Sequence, residues 1–320
     1  MRTAVLPLLL FLGFAAAAQD CTQTLPLNIL DQKTGNALVL PQRDVLQARM
    51  GSAAISITGL ERVESRRVLV LVDQSGSMAP ENGLGEYRKQ ALAAVEETMD
   101  EMLSQLPPGT SVAYGFFNDQ WVFTPEFLSD PGPLREAMAT ARKQLPKPGT
   151  GSTSLFDALH QAMLRFKTPQ PGDTIILITD TGENKSKLHP GEVEKEFRRS
   201  GLRLVLLLVQ QQVISEQSPY WDVFISMAED SGGAIGTVNI YDRSWLTQKD
   251  SKANREALRK FLTQEALNGY LMQVQVPAAL RKPKKWSLRI NPATNPTFKG
   301  LTLQYPGKLA PCPVSTAAVH

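Results

Sequence analysis

Five oxygen-bearing side chains stand where the chain leaves an apolar run or enters a helical pattern: Asp73, Ser75 and Ser77, then Thr153, then Asp180. Asp73 closes residues 67–72, an unbroken β-branched and aliphatic run, and the two serines follow at alternate positions. Asp180 closes a second such run, residues 174–179. Thr153 lies in a Gly-rich stretch, residues 148–154, just ahead of a helical pattern. Two carboxylates and three hydroxyls make a hard-oxygen set, suited to Mg²⁺, Mn²⁺ or Ca²⁺ and poorly suited to zinc or copper. With only two protein charges in the shell, a divalent ion keeps net positive charge and favours one more anionic oxygen from outside. The plainer alternative is that the aspartates cap loops while the serines satisfy turn backbone.

The elements that must position these residues follow from periodicity. Residues 67–72, 174–179 and 202–209 are dominated by aliphatic and β-branched residues, the pattern of strands buried on both faces of a parallel sheet. Residues 111–117 read as a further strand, with 121–124 as a short partner after an Asn118-Asp119 turn. Helical patterns cover about 86–106, 132–144, 154–167, 190–200, 220–231 and 252–267. In the first, Ala91, Ala94, Val95, Met99 and Leu103 recur on one face. Strands alternating with helices predict a doubly wound α/β fold, its mostly parallel sheet flanked by helices. Ligands of such sheets bind beyond the carboxyl ends of the strands, where all five oxygen-bearing residues fall. The flanks differ. Short alternating segments at 25–27, 37–40 and 53–57, and again at 270–276 and 286–290, predict a small antiparallel β module built from both ends of the chain.

The motifs resemble a known family. Val72-Asp73-Gln74-Ser75-Gly76-Ser77-Met78 resembles the Asp-x-Ser-x-Ser motif of von Willebrand factor A domains, the metal-ion-dependent adhesion site. The stretch from Gly151 through Thr153 and Asp157 to Leu159 resembles the loop and helix carrying that family's threonine ligand. Ile178-Thr-Asp180-Thr-Gly-Glu-Asn184 resembles its closing aspartate loop, and Ala228-Glu-Asp-Ser-Gly-Gly233 its late helix end. Asp-x-Ser-x-Ser alone is a weak signal; three pieces in the right order at strand ends are specific. The resemblance covers about residues 67–267, and the flanks are similar to exported bacterial A-domain-related proteins. It implies that Asp73, Ser75 and Ser77 contact a divalent cation, Mg²⁺ before Mn²⁺ or Ca²⁺. Thr153 and Asp180 would bind it directly or through water, and a protein partner would supply an Asp or Glu carboxylate.

The expected organisation is a signal peptide at 1–19, an N-terminal β segment at 20–64, the A domain at 65–268 and a C-terminal β segment at 269–320. Arg2, the apolar residues 5–14 and the alanines at 15–18 have the form of a secretory leader, too short to span a bilayer. No later run is long enough to span, so export to the periplasm or exterior is expected. Cys21 and Cys312 are the two cysteines. In an oxidising compartment an even pair reads as a disulfide, with two free thiols on the chain ends as the alternative.

Other classes fit less well. A net charge of +3 with 20% charged residues argues against nucleic acid, and Arg281, Lys282, Lys284 and Lys285 read as a solvated turn. Ser75 lacks a Gly-x-Ser-x-Gly elbow, and the only histidines are His160, His189 and His320. Residues 83–85 lack the ending of a phosphate-binding loop. No catalytic residue is assigned. The function expected is metal-dependent protein binding, with a structural subunit of an envelope complex as the alternative and a secreted hydrolase as the remote one. Residues 210–218, and Trp121, Trp221 and Trp245, are candidates for partner contact.

Overall fold

The computed structural model describes residues 20–31, 43–64, 66–78, 86–145, 152–210, 218–240, 242–265, 267–291 and 301–312. The leader at 1–19, the segment at 37–40, residues 83–85, residues 211–217 and His320 lie outside the described residues.

In chain order the strands of the N-terminal flank are β1 (Cys21–Asp31), β2 (Leu46–Met50), β3 (Ala53–Ile55) and β4 (Ile57–Glu64). The α/β part follows with β5 (Arg67–Asp73), α1 (Glu86–Ser104), β6 (Ser111–Phe117), β7 (Trp121–Phe123), α2 (Pro131–Gln144), α3 (Leu155–Leu164) and β8 (Thr174–Thr179). It continues with α4 (Pro190–Ser200), β9 (Arg203–Gln210), α5 (Trp221–Asp230), β10 (Ile235–Asn239) and α6 (Gln248–Lys260). The C-terminal flank holds β11 (Asn268–Val276), β12 (Lys284–Lys285), β13 (Ser287–Ile290), β14 (Leu301–Gln304) and β15 (Lys308–Leu309).

The central sheet runs β10-β9-β8-β5-β6-β7, with every pair parallel except the β6–β7 edge. Its strands alternate between two cores. Val68, Val70 and Val72 of β5 face Ala91, Ala94, Val95 and Met99 of α1, together with residues of α2 and α6. Leu69 and Leu71 face the opposite side, packing with Phe156 and Leu159 of α3, Phe197 of α4 and Phe224 of α5. Burial on both faces is why β5 is apolar at every position from Val68 to Val72. The doubly wound α/β reading is borne out. Strand β10 was not anticipated: Ile-Gly-Thr-Val-Asn buries only Val238 fully, as an edge strand does.

Helix ends follow local capping chemistry. His189 caps α4, its Nδ1 accepting from Gly191 N at 3.2 Å, with Pro190 in the first turn and Gly201 ending the helix at φ +73°. Helix α6 starts at Gln248 rather than 252, because the Thr247 hydroxyl accepts from Asp250 N. It gives way to a π-turn at Phe261–Glu265 instead of running on as α-helix to 267.

The flanks meet in an antiparallel sheet of order β14-β1-β11-β4, beside the smaller sheets β13-β2-β3 and β12-β15. Leu27, Ile29, Met272, Val274 and Trp286 lie in their shared core. A disulfide joins Cys21 to Cys312 across 291 positions. The β module abuts the α/β part at Gly232-Gly233. Asn28 Nδ2 donates to Gly233 O at 3.3 Å, and a Cβ on Gly232 would come within 2.7 Å of Pro26.

Candidate metal centre

Strands β5 and β8 are parallel neighbours, with Val72 opposite Ile178, so the residues that end them emerge side by side at the carboxyl edge of the sheet. Asp73 is fully buried there. Its Oδ1 accepts from Ser75 N at 2.9 Å and its Oδ2 from the Thr179 hydroxyl at 2.7 Å. Those two bonds fix the carboxylate plane. The chain then turns through a short 3₁₀ segment, Gly76–Met78, closed by Met78 N to Ser75 O at 3.0 Å. That turn brings the Ser75 and Ser77 hydroxyl oxygens 3.0 Å apart. Gln74 N donates to Phe117 O at 2.7 Å, which ties the loop to the end of β6.

Burial pushes the Asp73 carboxyl up to about 7, and the negative charge of Asp180 adds to the effect; the hydrogen bonds from Ser75 and Thr179 oppose it. The two carboxylates therefore share one electrostatic neighbourhood. Asp180 itself accepts from Gly182 N at 2.9 Å through Oδ1. Thr181 next to it is buried at φ +61°, a left-handed conformation that costs a β-branched residue energy. Among the described residues the Thr181 hydroxyl has no hydrogen-bond partner.

Thr153 is placed by the loop that follows Asp180. Its N–H donates to Asn184 Oδ1 at 2.9 Å, and its carbonyl accepts from Asn184 N and Lys185 N, both at 3.1 Å. Glu183 reaches across to the start of α3: Oε2 accepts from Leu155 N at 2.7 Å and Phe156 N at 3.2 Å, while Oε1 accepts from Lys185 N and Ser186 N at 2.8 Å. A carboxylate at a helix N-terminus meets both orphan donors and the positive end of the dipole. Asp157 closes the joint from the helix side, accepting from Lys187 N and Leu188 N at 3.0 Å. The Thr153 and Asp180 loops thus form one hydrogen-bonded body.

All five residues expected from the sequence gather at this sheet edge. Sequence reasoning assigned no role to Thr179, Glu183, Asn184, Asp157 or Ser186. Their partners lie about 30 to 106 positions away, and no local pattern marks such pairs. Among the described residues no group of three or more His, Cys, Asp and Glu side chains gathers to hold a metal, so a cation here depends on hydroxyls. His160 Nε2 faces Glu196 of α4 at 3.3 Å, and His189 serves as the α4 cap. Trp245 is buried, donating to Asn239 O at 2.9 Å, whereas Trp121 is exposed.

A parallel, helix-covered sheet with a carboxylate–hydroxyl cluster at its carboxyl edge defines a von Willebrand factor A-type fold. Residues 68–183 match the family model of the von Willebrand factor type A domain. Among solved structures the chain is similar to BatB from Bacteroides thetaiotaomicron, at 17% identity and TM-score 0.39, over 61% of this chain and 98% of that one. It is similar to a von Willebrand factor type A protein from Catenulispora acidiphila, at 14% identity and TM-score 0.43, over 93% of this chain and 74% of the other. It is also similar to proximal thread matrix protein 1 of the mussel byssus, solved with a zinc-occupied MIDAS motif. That match has 18% identity and TM-score 0.43, over 70% of this chain and 50% of that chain. No curated protein sequence matches.

Proposed function

We propose that Asp73, Ser75, Ser77, Thr153 and Asp180 hold a divalent cation, and that the domain uses it to bind a protein partner through an Asp or Glu side chain of that partner. The observation that carries this reading is the fully buried Asp73, beside a second carboxylate and a pair of hydroxyls, with its ionised form disfavoured. A buried carboxylate of this kind calls for a cation. When bound, the ion supplies an open position for an anionic oxygen.

The hard-oxygen donor set suits Mg²⁺ first, with Mn²⁺ or Ca²⁺ as alternatives. Thr179 and Ser75 N orient Asp73, while Glu183 and Asn184 hold Thr153, so the ligands stand ready before an ion arrives. The reading is one of binding without turnover, by an exported protein. The leader-like residues 1–19 and the Cys21–Cys312 disulfide favour an oxidising compartment, and no described helix is long and apolar enough to cross a membrane.

The test is titration calorimetry with Mg²⁺ and Mn²⁺ on the wild type and on Asp73→Ala. Heat that saturates in the wild type and vanishes in the variant is expected; equal heats would overturn the site. A partner captured with Mg²⁺ should be released by EDTA.

A further inference from the structure

At the opposite end of the sheet from Asp73, about 20 Å away by the length of β8, a cleft of about 1410 Å³ lies along the seam between the α/β part and the β module. This is larger than the roughly 300–1,000 Å³ of a compact small-molecule pocket. Its walls are one side of α4 and the last turns of α5, residues 24–27 of β1, the start of β11 and the turn that carries β15. Leu25, Pro26 and Leu271, all half-buried, give it an apolar lining.

The charge on its rim is one-sided. Among the described lining residues six are cationic and two anionic, and both anions, Glu194 and Asp230, already pair with Arg198. Lys195 and Arg199 of α4, Lys285 of β12 and Lys308 of β15 are exposed and have no salt bridge among the described residues. Lys285 and Lys308 stand directly opposite each other in the β12–β15 ladder. Like charges in that position destabilise a strand pair, a cost that an anion bound between them relieves.

We propose that this seam cleft is a second protein-binding site, which takes an acidic segment of a partner with apolar residues between its carboxylates. It acts independently of the cation. Lys285, Lys308, Lys195 and Arg199 read the charge, and the half-buried apolar lining takes the residues between the carboxylates.

The experiment is fluorescence anisotropy in EDTA on the full chain, using a fluorescein-labelled twelve-residue peptide that repeats Glu-Val-Glu-Ser, and the matched peptide with Lys for Glu. Saturable binding of the Glu peptide alone is expected, weakening as salt rises from about 50 to about 200 mM. Lys285→Glu with Lys308→Glu, and separately Lys195→Glu with Arg199→Glu, should each weaken it about tenfold. Lys308→Glu alone keeps the test independent of folding failure: it should raise the melting temperature, by placing opposite charges across the ladder, while it weakens the peptide. No binding, equal binding of the Lys peptide, or equal affinity in the charge-reversed variants would overturn the proposal. So would equal displacement by an oligonucleotide of the same charge, which would mark a general polyanion surface. Binding that is absent in EDTA and appears only with Mg²⁺ would also overturn it, and would assign the peptide to the cation edge instead.

Discussion

Replacing Asp73 with Asn should make the ion-free protein more stable and abolish its stabilisation by Mg²⁺. The buried carboxyl titrates near 7 in the fold against 3.8 in a free chain, chiefly from burial and then from Asp180. The native state therefore holds its proton more tightly than the unfolded state. The stability this contributes is complete below pH about 4, falls as pH rises through the window, and is gone above about 7. That interval corresponds to about 4 kcal/mol as a ceiling, since each pH unit carries about 1.4 kcal/mol. Asn keeps the shape and one acceptor for Ser75 N, its amide can donate to the Thr179 oxygen, and no charge is buried. At pH 8 in EDTA the variant should exceed the wild type by a few kcal/mol, about 5–10 °C in melting temperature for a domain of this size. Mg²⁺ at a hundred times its dissociation constant should raise the wild type by about 2.7 kcal/mol and leave the variant unmoved. Urea unfolding from pH 5 to 8, with EDTA or Mg²⁺, reads both effects. A variant weaker than wild type in EDTA at pH 8, or one that gains equally from Mg²⁺, would refute the reasoning.

Glu183→Gln keeps an acceptor but removes the charge at the α3 N-terminus, and should weaken Mg²⁺ about tenfold in calorimetry while costing about 1–2 kcal/mol of stability. Unchanged affinity would show that the Thr153 loop does not depend on this joint. Reducing the Cys21–Cys312 bridge should lower the unfolding free energy by about 5–6 kcal/mol in the chain-entropy account, because it closes nearly the whole described chain; coincident urea curves with and without reductant would refute this. Arg67→Ala should cost about 3–5 kcal/mol, since it strips the fully buried Asp173 of its two-pronged guanidinium partner. Equilibrium unfolding measures that loss, and an Arg67→Ala, Asp173→Asn double variant should recover part of it.

Legibility in the sequence tracked how locally each feature is encoded. Strands β5, β8 and β9 were readable because both faces are buried, which forces unbroken apolar runs at 68–72, 175–178 and 204–209. Strand β10 was not, since an edge strand carries no such obligation and Gly236 breaks its run. The early start of α6 was written in Thr247 and Asp250, a three-residue capping signal that the apolar periodicity overshadowed.

By itself, the sequence determined that Asp73, Ser75, Ser77, Thr153 and Asp180 are oxygen donors at strand ends and helix starts, because strand period and loop chemistry are local. Only the tertiary structure decided that Asp73 is sealed from water beside Asp180, and that Glu183 and Asn184 join the Thr153 loop to the Asp180 loop. It alone set Lys285 against Lys308 on the rim of a cleft. Burial, charge coupling and cross-strand register are sums over neighbours far apart in the chain, and those neighbours exist only once the sheet has closed.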